Sequence, residues 1–72
     1  MNSKELKIEM MRHNETGEHL SGYLGISRQT LSNKMSEKQG AEFTQSEISK
    51  IVEHYKLSSD RMMEIFFAQE MS

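Results

Sequence analysis

LGISRQTLSNKM, residues 24–35, decides how the rest of the chain is read. Gly25 is placed to end one helix in the left-handed conformation that glycine alone adopts freely, and Ile26 follows as the apolar plug of a tight turn. Ser27 then offers a hydroxyl suited to capping the next helix. In that helix Leu31 and Met35, four residues apart, look inward, while Arg28, Gln29, Ser32 and Asn33 look outward. The stretch predicts two helices joined by a short turn, the second with a polar outer face: a helix-turn-helix.

On the N-terminal side, Thr16 is placed to cap a short helix from Gly17 to Leu24 whose inward positions are Leu20 and Leu24. Before it, Asn2 or Ser3 caps a first helix running to about His13, with Leu6 and Met10 on one face and Ile8 and Met11 on another; Asn14, Glu15 and Thr16 break it. On the C-terminal side, residues 36–43 form a polar connection containing Gly40 and closed by Phe43. Thr44-Gln45-Ser46-Glu47 reads as a capping box opening a fourth helix to about Tyr55, whose Ile48, Ile51, Val52 and Tyr55 make one apolar stripe. Ser58 caps a last helix predicted from about Ser59 to Gln69. There Met62, Met63, Ile65, Phe66, Phe67 and Met71 spread over roughly 240° of the helical wheel, more than twice what one buried face needs. Met62 and Phe66 are assigned to packing and Met63 and Phe67 to the surplus arc. Ile65 lies at its edge and is counted with the surface available to a partner.

Composition agrees with this reading. Seventy-two residues with seven Met and no Pro or Trp suit one small all-helical domain spanning residues 1–72, in which Met fills irregular gaps. There is no Cys, which excludes disulfides and thiolate metal sites. No apolar run is long enough to span a bilayer and no signal-peptide pattern is present, so the expected location is the cytoplasm. His13, His19 and His54 share no ligand spacing, and no metal site or other cofactor is expected. A phosphate-cradling loop, paired carboxylates in a cleft and a nucleophile beside a base are all missing, so neither an enzyme nor a small-molecule substrate is expected.

The net charge is −2, against the basic footprint usual in nucleic-acid binders. Residues 16–38 carry +1, from Arg28, Lys34 and Lys38 against Glu18 and Glu37, whereas residues 57–72 carry −2, from Arg61 against Asp60, Glu64 and Glu70. Any DNA-facing surface must lie in the middle third, and it is weakly basic.

TGEHLSGYLGISRQTLSNKM, residues 16–35, is similar to the helix-turn-helix of the phage repressor and Cro superfamily, where Leu, a small residue, Leu-Gly-Ile-Ser and Thr-Leu-Ser-Asn recur at this spacing. FTQSEISKIVEHYKLS, residues 43–58, and EIFF, residues 64–67, extend the likeness to the tails of repressor-like proteins from temperate phages of Gram-positive bacteria. Over its whole length the chain resembles the antirepressors of lactococcal temperate phages. The resemblance implies an all-α, five-helix, phage-repressor-like domain. If the superfamily's mode of reading DNA carries over, Ser27, Arg28, Gln29, Ser32 and Asn33 reach bases or phosphates and Lys34 adds a phosphate contact, with Arg28 suited to guanine and Gln29 to adenine. Three positions depart from the pattern: Gly17 replaces a phosphate-anchoring Gln, Ser21 replaces an Ala between the helices, and Lys34 stands where an apolar residue is usual, with Met35 taking the inward role. These changes weaken DNA binding more than the fold.

The likeness to antirepressors implies a protein partner, the N-terminal DNA-binding domain of the cognate phage repressor. Tyr23, outward on the second helix where a polar residue is common, suits a protein contact, as do Met63, Ile65 and Phe67. Glu18, Asp60, Glu64 and Glu70 offer charge opposite to a basic DNA-binding face. Two alternatives stay open: a Cro-like regulator that binds operator DNA through residues 27–34, and a homodimer formed through the terminal helix.

Overall fold

The computed structural model describes residues 1–67. Five helices follow one another, α1 (Ser3–Arg12), α2 (Gly17–Leu24), α3 (Arg28–Ser36), α4 (Gln45–Tyr55) and α5 (Ser59–Met62), with a 3-10 turn at Lys38–Gly40; α5 continues into a π-helical turn, Met63–Phe67.

Every α-helix starts on a side-chain cap. Asn2, Thr16, Ser27, Thr44 and Ser58 each hold extended backbone and accept a hydrogen bond from the N–H three residues on, satisfying one donor that the first turn leaves without a partner. At Thr44 the arrangement is reciprocal, because Glu47 Oε1 accepts from the Thr44 N–H at 2.9 Å. Gly25 ends α2 at φ 74°, and the Ile26 N–H closes the turn on the Ser21 carbonyl at 3.0 Å. Only three residues separate α2 from α3, so the two helices pack on one another through Leu20, Leu24 and Leu31.

Four of the helices and the terminal turn contribute buried side chains to one core, and Met62 of α5 packs against it. Leu6 and Met10 of α1, Leu20 and Leu24 of α2, Leu31 of α3, Ile51 and Tyr55 of α4, and Ile65 and Phe66 of the terminal turn are buried together with Phe43. Phe43 returns from the polar connection to meet Phe66 edge-on, with ring centroids 5.8 Å apart. The terminal turn is tied to the start of the chain: the Asn2 N–H donates to the Ile65 carbonyl at 2.7 Å, and Arg61 donates to Glu5 at 2.5 Å and to Glu9 at 2.7 Å. Glu9 is buried, so the Arg61 guanidinium supplies the countercharge that its burial requires.

The last element corrects two expectations. It is a continuous α-helix only to Met62, after which the bonding widens to i→i+5. A wider turn rotates successive side chains by a smaller angle, so neighbouring residues can share a face. Ile65 and Phe66 both point inward, and Ile65, counted above with the partner surface, is 0 % exposed. Met63 and Phe67 carry the surplus instead, each 53 % exposed. Gln69, Glu70 and Met71 lie outside the described residues. Among the described residues, no helix is long and apolar enough to cross a membrane.

Candidate recognition surface

The outer face of α3 was the predicted DNA reader, and the structure shows what each of its side chains does. The Ser27 hydroxyl is the α3 cap, accepting from the Thr30 N–H at 3.0 Å and lying 2.8 Å from the Thr30 hydroxyl. Gln29 donates to Asn33 across one turn at 3.0 Å, so each amide satisfies part of the other. Lys34 does not face outward into open solvent. Its Nζ donates to Glu47 Oε1 at 2.6 Å, and only 15 % of its side chain and 11 % of that of Glu47 is exposed. Burial pushes the Glu47 carboxyl up, but the hydrogen bonds from Lys34 and the Thr44 N–H outweigh it and hold the group below the usual carboxylate range. The same carboxylate thus caps α4 and neutralises the α3 cation, which fixes Lys34 by an inward contact.

Arg28 and Ser32 remain exposed on α3, at the edge of a hollow between α1, α2 and α3 that Lys7, Ser3 and Ser36 also line. Arg28 packs against Gly17 here, since a Cβ at residue 17 would lie 3.6 Å from Arg28 Nε, an ordinary contact distance. The guanidinium therefore lies over the start of α2, where the superfamily pattern places a Gln.

Tyr23 projects from α2 with 42 % of its surface exposed. It is nonetheless held: its ring stacks on His54 of α4 with centroids 4.1 Å apart, and its hydroxyl reaches the Lys50 carbonyl at 3.4 Å. An aromatic ring fixed in place yet half in solvent loses little freedom when a partner covers it. Glu18, one turn earlier, is exposed and has no ion pair among the described residues. Glu64 sits 3.6 Å from Arg61 with 61 % of its side chain exposed. Phe67 lines a different groove with Met1, Phe43, Ile48 and Phe66. The partner residues expected from sequence thus divide between the α2 face and the terminal turn. Asp60 is exposed on α5.

A cluster that the sequence reading missed supports Tyr23 from below. Glu15, read only as a helix breaker, has a side chain 4 % exposed and draws together side chains of α2 and α4. His19 of α2 approaches Oε2 at 2.5 Å, His54 of α4 approaches it at 2.9 Å, and the Tyr55 hydroxyl donates to Oε1. His13, at the end of α1, stacks on the Tyr55 ring at 4.6 Å. The partners from α4 stand 39 and 40 residues along the chain, so no local pattern could show them. Burial raises the Glu15 carboxyl, but the hydrogen bonds from Tyr55, His54 and His19 outweigh it and hold the group below the carboxylate norm. The Tyr55 hydroxyl is pushed far above the ordinary phenol value, first by burial and then by its bond to Glu15. The relay Glu15–His54–Tyr23 positions the exposed ring from the interior.

Set against family models, against curated proteins and against solved structures, the chain has no match in any of the three comparisons.

Proposed function

We propose that this protein is a phage antirepressor, which binds the DNA-binding N-terminal domain of its cognate repressor, covers the surface that reads the operator and so favours the lytic cycle. The observation that carries the reading is the engagement of Lys34 by Glu47, which leaves Arg28 as the one cation on the outer face of α3, while Tyr23 of α2 is fixed and exposed against α4. Phosphate neutralisation supplies most non-specific affinity for DNA, and Arg28 with Lys7 at the same hollow supplies little of it. An immobilised aromatic flanked by a carboxylate suits a protein surface rich in Lys and Arg. The mechanism is competition: repressor held in the complex is subtracted from operator occupancy by mass action. The resemblance to lactococcal phage antirepressors points the same way. The protein would then work in the cytoplasm of the bacterial host, without cofactor or catalysis.

The rival reading, a Cro-like regulator, draws on the exposure of Arg28 and Ser32. Calorimetric titration with the repressor N-terminal domain, paired with a gel shift of this protein alone at physiological salt, separates the two. Repressor binding without operator retardation is expected; submicromolar operator binding with no heat on adding repressor makes the Cro-like reading the better one. Within the first reading, Tyr23→Ala is expected to weaken repressor binding by about 30-fold, the scale of a central aromatic anchor. The helical circular-dichroism signal should be retained, because the ring is half exposed.

A further inference from the structure

Two of the four glycines explain themselves by backbone conformation: Gly25 and Gly40 have φ of 74° and 80°. Gly17 faces Arg28 and Leu31. Gly22 has no such reason. It lies inside α2 with helical backbone, is exposed, and a Cβ built on it would meet nothing within 4 Å. Alanine is the better helix former at such a position, and α2 is only 8 residues long, so glycine weakens an element with little to spare. Among the described residues, no packing contact is gained in return.

The surroundings of Gly22 show what an external partner would find. The missing side chain leaves a shallow hollow walled by Thr16, Glu18, His19 and Tyr23. Glu18 and His19 precede Gly22 by four and three residues and so stand on the same stripe of the helix. Tyr23 forms one wall and is braced by His54 and the Lys50 carbonyl, so the hollow does not collapse when empty. The ion pairs among the described residues leave Glu18 unpaired, and His19 turns Nδ1 inward to Glu15.

We propose that Gly22 is the point of closest approach for a basic helix of the partner, whose backbone settles into this hollow with a cationic side chain on Glu18 and an apolar one against the Tyr23 ring. The proposal rests on the antirepressor reading and refines it, because a helix that reads DNA carries the Lys and Arg that Glu18 complements. Close packing of two helices requires a small residue at the crossing, and a methyl group there would hold the partner off.

The test uses the whole protein and the purified N-terminal domain of the cognate repressor, with Gly22→Ala and Gly22→Leu. Thermal melts report on α2 and calorimetry reports on binding. For Gly22→Ala we expect a Tm higher by about 3–6 °C, from improved helix propensity in a chain of this size. We expect its affinity for the repressor domain to fall at least tenfold, and that of Gly22→Leu to fall further. A variant that is more stable yet binds less well has lost contact space, not its fold. If the native protein binds and both variants bind as well as it does, the hollow is not the docking point while the antirepressor reading stands. If Gly22→Ala lowers Tm, the glycine has an internal role and the proposal is overturned. Failure of the native protein to bind the repressor domain defeats the antirepressor reading itself, and this inference with it.

Discussion

Ile65→Ala is expected to destabilise the protein by about 2–5 kcal/mol, the range for removing a fully buried branched aliphatic side chain and leaving a cavity. Ile65 is 0 % exposed, and its carbonyl accepts the Asn2 N–H that fastens the chain's start to the terminal turn. The cavity would open inside the buried cluster that also holds Leu6 and Phe66. A small domain has roughly 0.05–0.15 kcal/mol of stability per residue, so the loss is a large share of the total. With about 4–8 °C of Tm per kcal/mol in a domain of this size, a thermal melt should fall by at least about 10 °C. Phe67→Ala, two residues on, is the control: its ring is 53 % exposed and its loss should leave Tm within a few degrees. Equal melting of the two variants would mean that the π-helical turn does not divide inward from outward side chains as described.

The contrast between these two residues shows where sequence reading reaches its limit. Thr16, Gly25, Ser27, Thr44, Glu47 and Ser58 announced helix ends because capping acts over three or four residues and leaves a local signature. Leu20, Leu24 and Leu31 were legible for the same reason, since helical spacing sets their direction. Ile65 was misplaced because the wheel assumes a constant 100° per residue, and a π turn breaks that assumption without any mark in the sequence. Lys34 was given a phosphate contact by the resemblance alone, yet a long side chain can bend to a carboxylate on another helix. Tyr23 was correctly expected at the surface, but its immobilisation by His54 depends on a packing between α2 and α4 that no spacing encodes. What carries through is the exposure of Tyr23 and Glu18 on α2; the supports beneath Tyr23 became visible only in three dimensions.

Those supports set the second large effect. Glu15→Ala is expected to leave the buried Tyr55 hydroxyl without its acceptor, at about 1–3 kcal/mol, with a smaller loss from His54, which water can partly restore. A fall in Tm of about 10 °C follows for a domain of this size. The pH dependence tells this from a simple loss of packing. Glu15 titrates lower in the folded chain than in the unfolded one, so its contribution is present above the unfolded value of 4.5 and disappears as pH falls through the depressed folded value. The gap in stability between native protein and Glu15→Ala should therefore be widest above about pH 5.5 and close on acidification below 4.5. Tyr55 acts at the other end. Its pKa is raised on folding, so its contribution holds below the unfolded value of 10.0 and declines as pH rises beyond it, a decline that Tyr55→Phe should abolish while keeping the ring stacked on His13. Because His54 carries Tyr23, the loosened cluster should also free the exposed ring, and near neutral pH Glu15→Ala should bind the repressor domain more weakly than the native protein at a temperature where both are folded. Unchanged affinity in a folded Glu15→Ala variant would show that Tyr23 needs no brace, and would separate the stability of the cluster from the recognition it is argued to serve.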